Sequence, residues 1–263
     1  MNRIDELHRL DNKVAVVSGG AGLIGAKLCE ILAQAGADIV MVDNNPDLAR
    51  SEAQRVAQIT GRRVLDRCVD ITQEAAVREL AASVHAEMGR CDILINSAHY
   101  KGGAFFAPLG EYPLEAWNQV LAVNLTGAFL MCREFGKRMF ASEGGVIVNV
   151  SSTYGLVSAD PRIYGESGIN SPIAYAATKS GLLNMTRYIA VHWRPKVRAN
   201  VLAPGGVENK QDPQFIENYC YRTPLGRMAR RDDYQGAILF MCSDASAYMT
   251  GAVVTVDGGW TAW

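Results

Sequence analysis

The sequence predicts an α/β fold: a doubly wound, mainly parallel sheet of seven strands with helices on both faces. Three observations carry this. Seven short β-branched runs recur through the 263 residues. Most are apolar almost without interruption, as strands buried on both faces are. Longer segments with helical periodicity separate them, which is the alternation of βαβ units joined by right-handed crossovers.

The elements follow in order. KVAVVS (13–18) is the first strand, and the glycine-rich VVSGGAGLIG (16–25) turns it into a helix over 22–35. ADIVMVD (37–43) and RVLDRCVD (63–70) are strands, each followed by a helix, 46–59 and 72–88. CDILINS (91–97) leads to a helical stretch, 114–140, with a break in it. GVIVNVSS (145–152), a helix over 173–193, VRANVLAP (197–204), a helix over 231–243 and AVVTVDG (252–258) complete the pattern. No linker or internal repeat divides the chain, so 1–263 is expected to be one domain. The least regular stretches are 154–172 and 205–224. Both follow strand ends, where open α/β sheets place their ligands.

Composition narrows the partners. The chain carries 26 Lys and Arg against 27 Asp and Glu, and no basic face stands out, which argues against nucleic acid. No apolar run is long enough to span a membrane, and the N-terminus does not read as a secretory signal. The six cysteines are scattered, without CxxC spacing or a histidine cluster. Reduced thiols in a cytoplasmic protein and no metal site are expected.

The glycine loop sits between a strand and a helix, the context in which glycines cradle a pyrophosphate. Gly19, Gly22 and Gly25 permit the turn and the close approach. Asp43 ends the second strand, placed to bind the adenosine ribose and repel a 2′-phosphate. No Lys or Arg lies in the loop or directly after Asp43. NAD is therefore expected rather than NADP. Asp70, after the third strand, would bind the adenine amino group or cap the next helix.

Taken together, the glycine loop, Asp70, NSAH (96–99), Asn124 in VNLTG, VNVSS, YAATK (175–179), PGG (204–206) and VDGG (256–259) resemble the short-chain dehydrogenase/reductase family in its single-domain, Rossmann-type form. The resemblance covers nearly the whole chain. It implies a dinucleotide site built from Ser18, Gly19, Gly22, Leu23, Ile24, Gly25, Asp43, Asp70, Ile71, Asn96, Ala98, Tyr175, Lys179, Pro204, Gly205 and Val207. It also implies a catalytic set of Asn124, Ser152, Tyr175 and Lys179, and a homotetramer, or a dimer. Three residues depart from the family pattern. Leu23 stands where the family has a glycine, His99 replaces another glycine beside the substrate mouth, and Asn209 stands near a usual threonine.

Hydride transfer at a carbonyl carbon requires a proton to move at its oxygen. A tyrosine can move it once its pKa is lowered, and a lysine at i+4 lies on the same helix face. Of the three tyrosines in 151–181, only Tyr175 has one, Lys179. Tyr154 reads as a spacer behind Ser152, and Tyr164 as a pocket residue on an insert. Ser152, with Ser151 as the alternative, would hold the substrate oxygen, and Asn124 a water linking Lys179 to solvent. The insert (about 154–172) and a lid (about 205–224) are polar, with His99, Arg162, Tyr164 and Asn209 as candidate substrate contacts. Lys101, Lys210 and Arg222 lie nearby. A polar small molecule, such as a sugar, sugar acid or sugar derivative, is the expected substrate. A sugar-nucleotide epimerase or dehydratase using NAD is one alternative, favoured by the glycine spacing and disfavoured by the chain length. A non-catalytic dinucleotide-binding regulator is the other.

Overall fold

The computed structural model describes residues 3–166 and 170–263. Its sheet has seven strands, β1 (Val14–Ser18), β2 (Asp38–Asp43), β3 (Val64–Cys68), β4 (Ile93–Asn96), β5 (Gly145–Val150), β6 (Val197–Pro204) and β7 (Val253–Val256). Their order is β3-β2-β1-β4-β5-β6-β7, and every pairing is parallel. The helices are α1 (Arg3–His8), α2 (Gly25–Gln34), α3 (Pro46–Thr60), α4 (Glu74–Met88), α5 (Leu114–Leu121), α6 (Ala128–Ala141), α7 (Ile173–His192), α8 (Pro213–Arg222) and α9 (Gln235–Cys242).

The near-continuous apolar runs are explained by two cores. Side chains alternate across a strand. Ala15 and Val17 therefore pack with Leu28 and Leu32 of α2, Val56 of α3 and Ile238 of α9. Val14 and Val16 pack instead with Val77 of α4, Phe135 of α6 and Ile189 of α7. The chain reverses its winding direction at β1, so a crevice opens between the C-terminal ends of β1 and β4, the usual ligand position in such sheets.

Three features differ from expectation. The break in 114–140 is a π-helical turn, Ala122–Gly127, inserted between α5 and α6 without a loop. Such turns add one residue per turn and are common at functional sites. The lid is not irregular: Asp212 caps α8 by accepting from the backbone N–H groups of Gln214 and Phe215, and Pro213 takes the first helical position. The N-terminal segment forms the short α1, which buries none of its residues. In the insert, 3-10 turns form at Thr153–Gly155 and Pro161–Tyr164, while residues 167–169 lie outside the described residues.

Candidate active site

A cleft of about 610 Å³ lies along the C-terminal ends of β1, β2, β4, β5 and β6. At one end it meets the glycine loop. Gly19 has φ +67°, and a Cβ there would fall 2.6 Å from the Ala98 backbone. A Cβ on Gly25 would fall 2.0 Å from the Gly19 carbonyl. Only glycine lets the loop fold this tightly against β4 and the start of α2. Asp43 braces it, its carboxylate accepting from Ala21 N–H at 3.3 Å and from Asn45 N–H at 3.1 Å.

Gly22, Leu23, Ile24, Asp70, Ile71, Ala98, Pro204, Gly205 and Val207 also line the cleft, as the sequence implied. Asp70 does not cap α4, whose first turn follows Gln73. It faces the cleft and accepts from the N–H and hydroxyl of Thr72, at 2.9 and 2.7 Å, which fixes the approach to α4. These bonds hold its carboxyl below the ordinary value against the opposing effect of burial.

The side chains of Ser18 and Asn96 are placed differently. Both are buried beneath the cleft in a polar chain through the core. Ser18 donates to Asn96, Asn96 donates to Asn149 at 2.8 Å, and Asn149 donates to Thr186 at 2.8 Å. This chain ties β1, β4, β5 and α7 together. Polar residues at strand ends resemble ligand contacts in sequence, but these satisfy one another, as buried polar groups must.

At the other end, β5 and α7 bring Ser152, Tyr175 and Lys179 together. The Ser151 hydroxyl donates to the Lys179 carbonyl at 2.8 Å and locks β5 to α7. Ser152 is thus the member of the pair left facing Tyr175, and its hydroxyl favours the ionised phenol. Lys179 is 3% exposed; its ammonium donates to the Val150 carbonyl at 2.7 Å and lies 5.5 Å from the centre of the Tyr175 ring. Burial lowers the Lys179 pKa from 10.5 to about 8.

Tyr175 departs from expectation: among the protein's own groups, burial raises its pKa, and only the Ser152 hydroxyl opposes this. The Lys179 charge is aimed at Val150, along the ring rather than at the phenol oxygen.

The amide of Asn124 is engaged at both ends. It accepts from Tyr100 N–H at 2.8 Å and donates to the Thr178 hydroxyl at 3.2 Å, which in turn donates to the Tyr175 carbonyl at 2.8 Å. The residue is 1% exposed and does not line the cleft. Its side chain is a strut between the β4 loop, the π-turn and α7. The π-turn is what swings this side chain onto α7.

The substrate candidates divide. His99 and Tyr164 line the cleft. His99 meets Tyr175 edge-on, at 6.5 Å between ring centres. It is exposed at the cleft, and partial loss of hydration, with the charges of Lys179 and Lys101, lowers its pKa. Arg162 and Asn209 stand outside. Arg162 is exposed and paired with Asp160, and Asn209 accepts from Arg231. Arg222 also reaches Asp160, at 3.3 Å, and lies against Trp260 and Trp263. Lys101 lies over Phe106 on the surface. Among the described residues lining the cleft, Lys179 is the one cation.

Sequence reasoning missed part of the wall. Tyr154 is no spacer: it lines the cleft, and its phenol oxygen is 3.3 Å from that of Tyr164. Gln211, Phe215, Tyr219 and Met228 line it too. Ile163 of the insert, Tyr219 of α8, Met228 and Trp260 form a small apolar core that joins insert, lid and C-terminal segment. The i, i+4 pair Phe215 and Tyr219 was the available signal.

Comparison with known proteins identifies the family. The sequence profile described as enoyl-(acyl carrier protein) reductase matches residues 19–261. The chain belongs to the short-chain dehydrogenase/reductase family. It is 38% identical to the D-threitol dehydrogenase of Mycolicibacterium smegmatis, over 98% of this chain and 96% of that one. It is 34% identical to a galactitol 2-dehydrogenase (L-tagatose-forming) of Cereibacter sphaeroides, over 97% of each. A gluconate 5-dehydrogenase from Burkholderia cenocepacia, solved with NADP and tartrate, superposes with a TM-score of 0.90 at 31% identity, covering 99% of this chain and 100% of that one. The chain is an oxidoreductase of this family. Among the described residues, no helix is long and apolar enough to cross a membrane, and no group of three or more His, Cys, Asp or Glu could hold a metal.

Proposed function

We propose that the protein is an NAD-dependent dehydrogenase of secondary alcohols in polyols, with Tyr175 as the group that moves the proton. The observation that carries this is the placement of Ser152, Tyr175 and Lys179 at the mouth of a cleft whose far end is the glycine loop. The tight loop and its neighbouring helix start suit a pyrophosphate, and Val42, Ile71 and Ala98 offer an apolar slot for adenine. Bound there, the dinucleotide supplies the hydride acceptor.

Ser152 holds the substrate hydroxyl oxygen, and Tyr175 accepts its proton as the carbonyl forms. Tyr175 must ionise for this, and burial alone opposes it. The ammonium of Lys179, free to leave the Val150 carbonyl for the phenolate, supplies the missing positive charge. Asn124 and Thr178 are positioning residues that hold the start of α7. Asp43 supports NAD over NADP, because no Lys or Arg among the described cleft residues accompanies it to receive a 2′-phosphate.

Exposed apolar side chains on α6 (Phe129, Phe140) and α7 (Tyr188, Val191) support a homotetramer or dimer built on these helices. Trp260, by contrast, is buried within its own chain, and Trp263 is exposed. The six free cysteines suit the cytoplasm. The reading is tested by following NADH absorbance at 340 nm with linear polyols. Polyol-dependent NADH formation is expected; its absence across four- to six-carbon polyols, with both NAD and NADP, would end the proposal.

A further inference from the structure

We propose that the phenols of Tyr154 and Tyr164 form the subsite for the part of the substrate beyond the reacting carbon, and that this subsite takes uncharged hydroxyl groups and turns carboxylates away. The proposal rests on the alcohol-oxidising reading above and sharpens its substrate class from sugar-like compounds to neutral polyols.

The geometry sets the subsite. Tyr154 follows Ser152 on the turn after β5, and Tyr164 comes down from the insert, so the two phenols meet in the cleft with their oxygens 3.3 Å apart. Tyr154 N–H donates to the Ser152 hydroxyl at 3.2 Å, and both phenols line the same cleft as Tyr175. A chain extending from the carbon held at Ser152 and Tyr175 therefore meets this pair. Each phenol both donates and accepts, and so does an alcohol. A carboxylate only accepts, and it brings a full charge.

Among the described residues, the one cation lining the cleft, Lys179, donates to the Val150 carbonyl rather than to this pair. The two arginines of the insert and lid are diverted: Arg162 and Arg222 converge on Asp160, and Arg222 is further held against Trp260 and Trp263. His99 is neutral at pH 7. Burial keeps both phenols protonated through the working pH range. The wall continues from Tyr164 through Phe215 to Tyr219, with ring centres 5.3 and 5.8 Å apart, so the surface behind the pair is aromatic and uncharged. An anion placed against such a wall loses water and gains no partner.

The test is steady-state kinetics with NAD on polyols and aldonates matched in carbon number, and on 2-butanol as a short probe, with wild type, Tyr154→Phe and Tyr164→Phe. Wild type is expected to favour the polyol over the aldonate by at least about 100-fold in kcat/KM. Each variant is expected to raise the polyol KM about tenfold with kcat retained, so that the preference for polyol over 2-butanol falls about tenfold. Aldonates turned over within tenfold of polyols would overturn the proposal. So would an unchanged polyol KM in both variants, or an equal loss on polyol and 2-butanol. NADH binding, followed by fluorescence, separates specificity from folding; its loss in both variants would assign the pair a structural role and also overturn the proposal. If wild type oxidises neither polyols, aldonates nor 2-butanol, the alcohol-oxidising reading itself has failed, and the subsite falls with it.

Discussion

Replacing Lys179 by methionine should make the protein more stable at pH 7 while removing its activity. Lys179 is buried, and its pKa falls from 10.5 in the unfolded chain to about 8 in the folded one. At about 1.36 kcal/mol per unit, holding the protonated amine inside the fold costs about 3 kcal/mol. Methionine removes that cost and fills similar space. Losing the hydrogen bond to the Val150 carbonyl takes back roughly 1 kcal/mol. A net gain of about 2 kcal/mol is expected at pH 7. The sign with pH follows from linkage. Between about 8 and 10.5 the unfolded chain holds the proton and the folded chain releases it, so wild-type stability from this group rises with pH across that window. The cost is full below about 8 and gone above about 10.5. Urea unfolding of both proteins from pH 7 to 10.5, without added cofactor, reads the difference, and other titrating groups cancel. The gap should close as pH rises. A variant less stable than wild type at pH 7, or a gap that does not change with pH, would refute the reasoning.

Three further outcomes are expected. Asp43→Ala should shift the NADP-to-NAD ratio of kcat/KM towards NADP by roughly 30-fold, by removing a carboxylate that repels the 2′-phosphate; an unchanged ratio would dissociate Asp43 from cofactor choice. Thr178→Val leaves the Asn124 amide without its acceptor, and should lower kcat about tenfold with NADH affinity retained. Unchanged kcat would remove Asn124 and Thr178 from the positioning role. Arg222→Ala leaves Asp160 to Arg162 alone and uncovers Trp260, so KM should rise severalfold while the Tm falls by only about 2 °C, as for a partly exposed contact.

The sheet was legible because its signal is local. Seven apolar runs separated by helical segments admit few arrangements, and each run became a strand. The glycine loop was equally legible, since Gly19 and Gly25 sit where a Cβ would strike backbone. The Tyr175 and Lys179 pair showed itself through its i, i+4 spacing. What escaped depends on contacts distant in sequence. The polar chain that engages the side chains of Ser18 and Asn96 is one such case, because Asn149 and Thr186 come from strand β5 and helix α7. Asp160, from the insert, also holds Arg222 of the lid, more than sixty residues later, and no local pattern marks that pairing. The direction in which Tyr154 points is set by a 3-10 turn that leaves no periodic trace. Helix α8 did leave one, in its Asp-Pro start and the Phe215 and Tyr219 spacing, but a polar composition masked it.

The most direct test of the account compares wild type with Tyr175→Phe in NAD-linked oxidation of a four-carbon polyol, alongside NADH binding by fluorescence. The account predicts a fall in kcat of about 1,000-fold or more, with the NADH Kd within about twofold of wild type. A variant that keeps kcat within tenfold of wild type would contradict it.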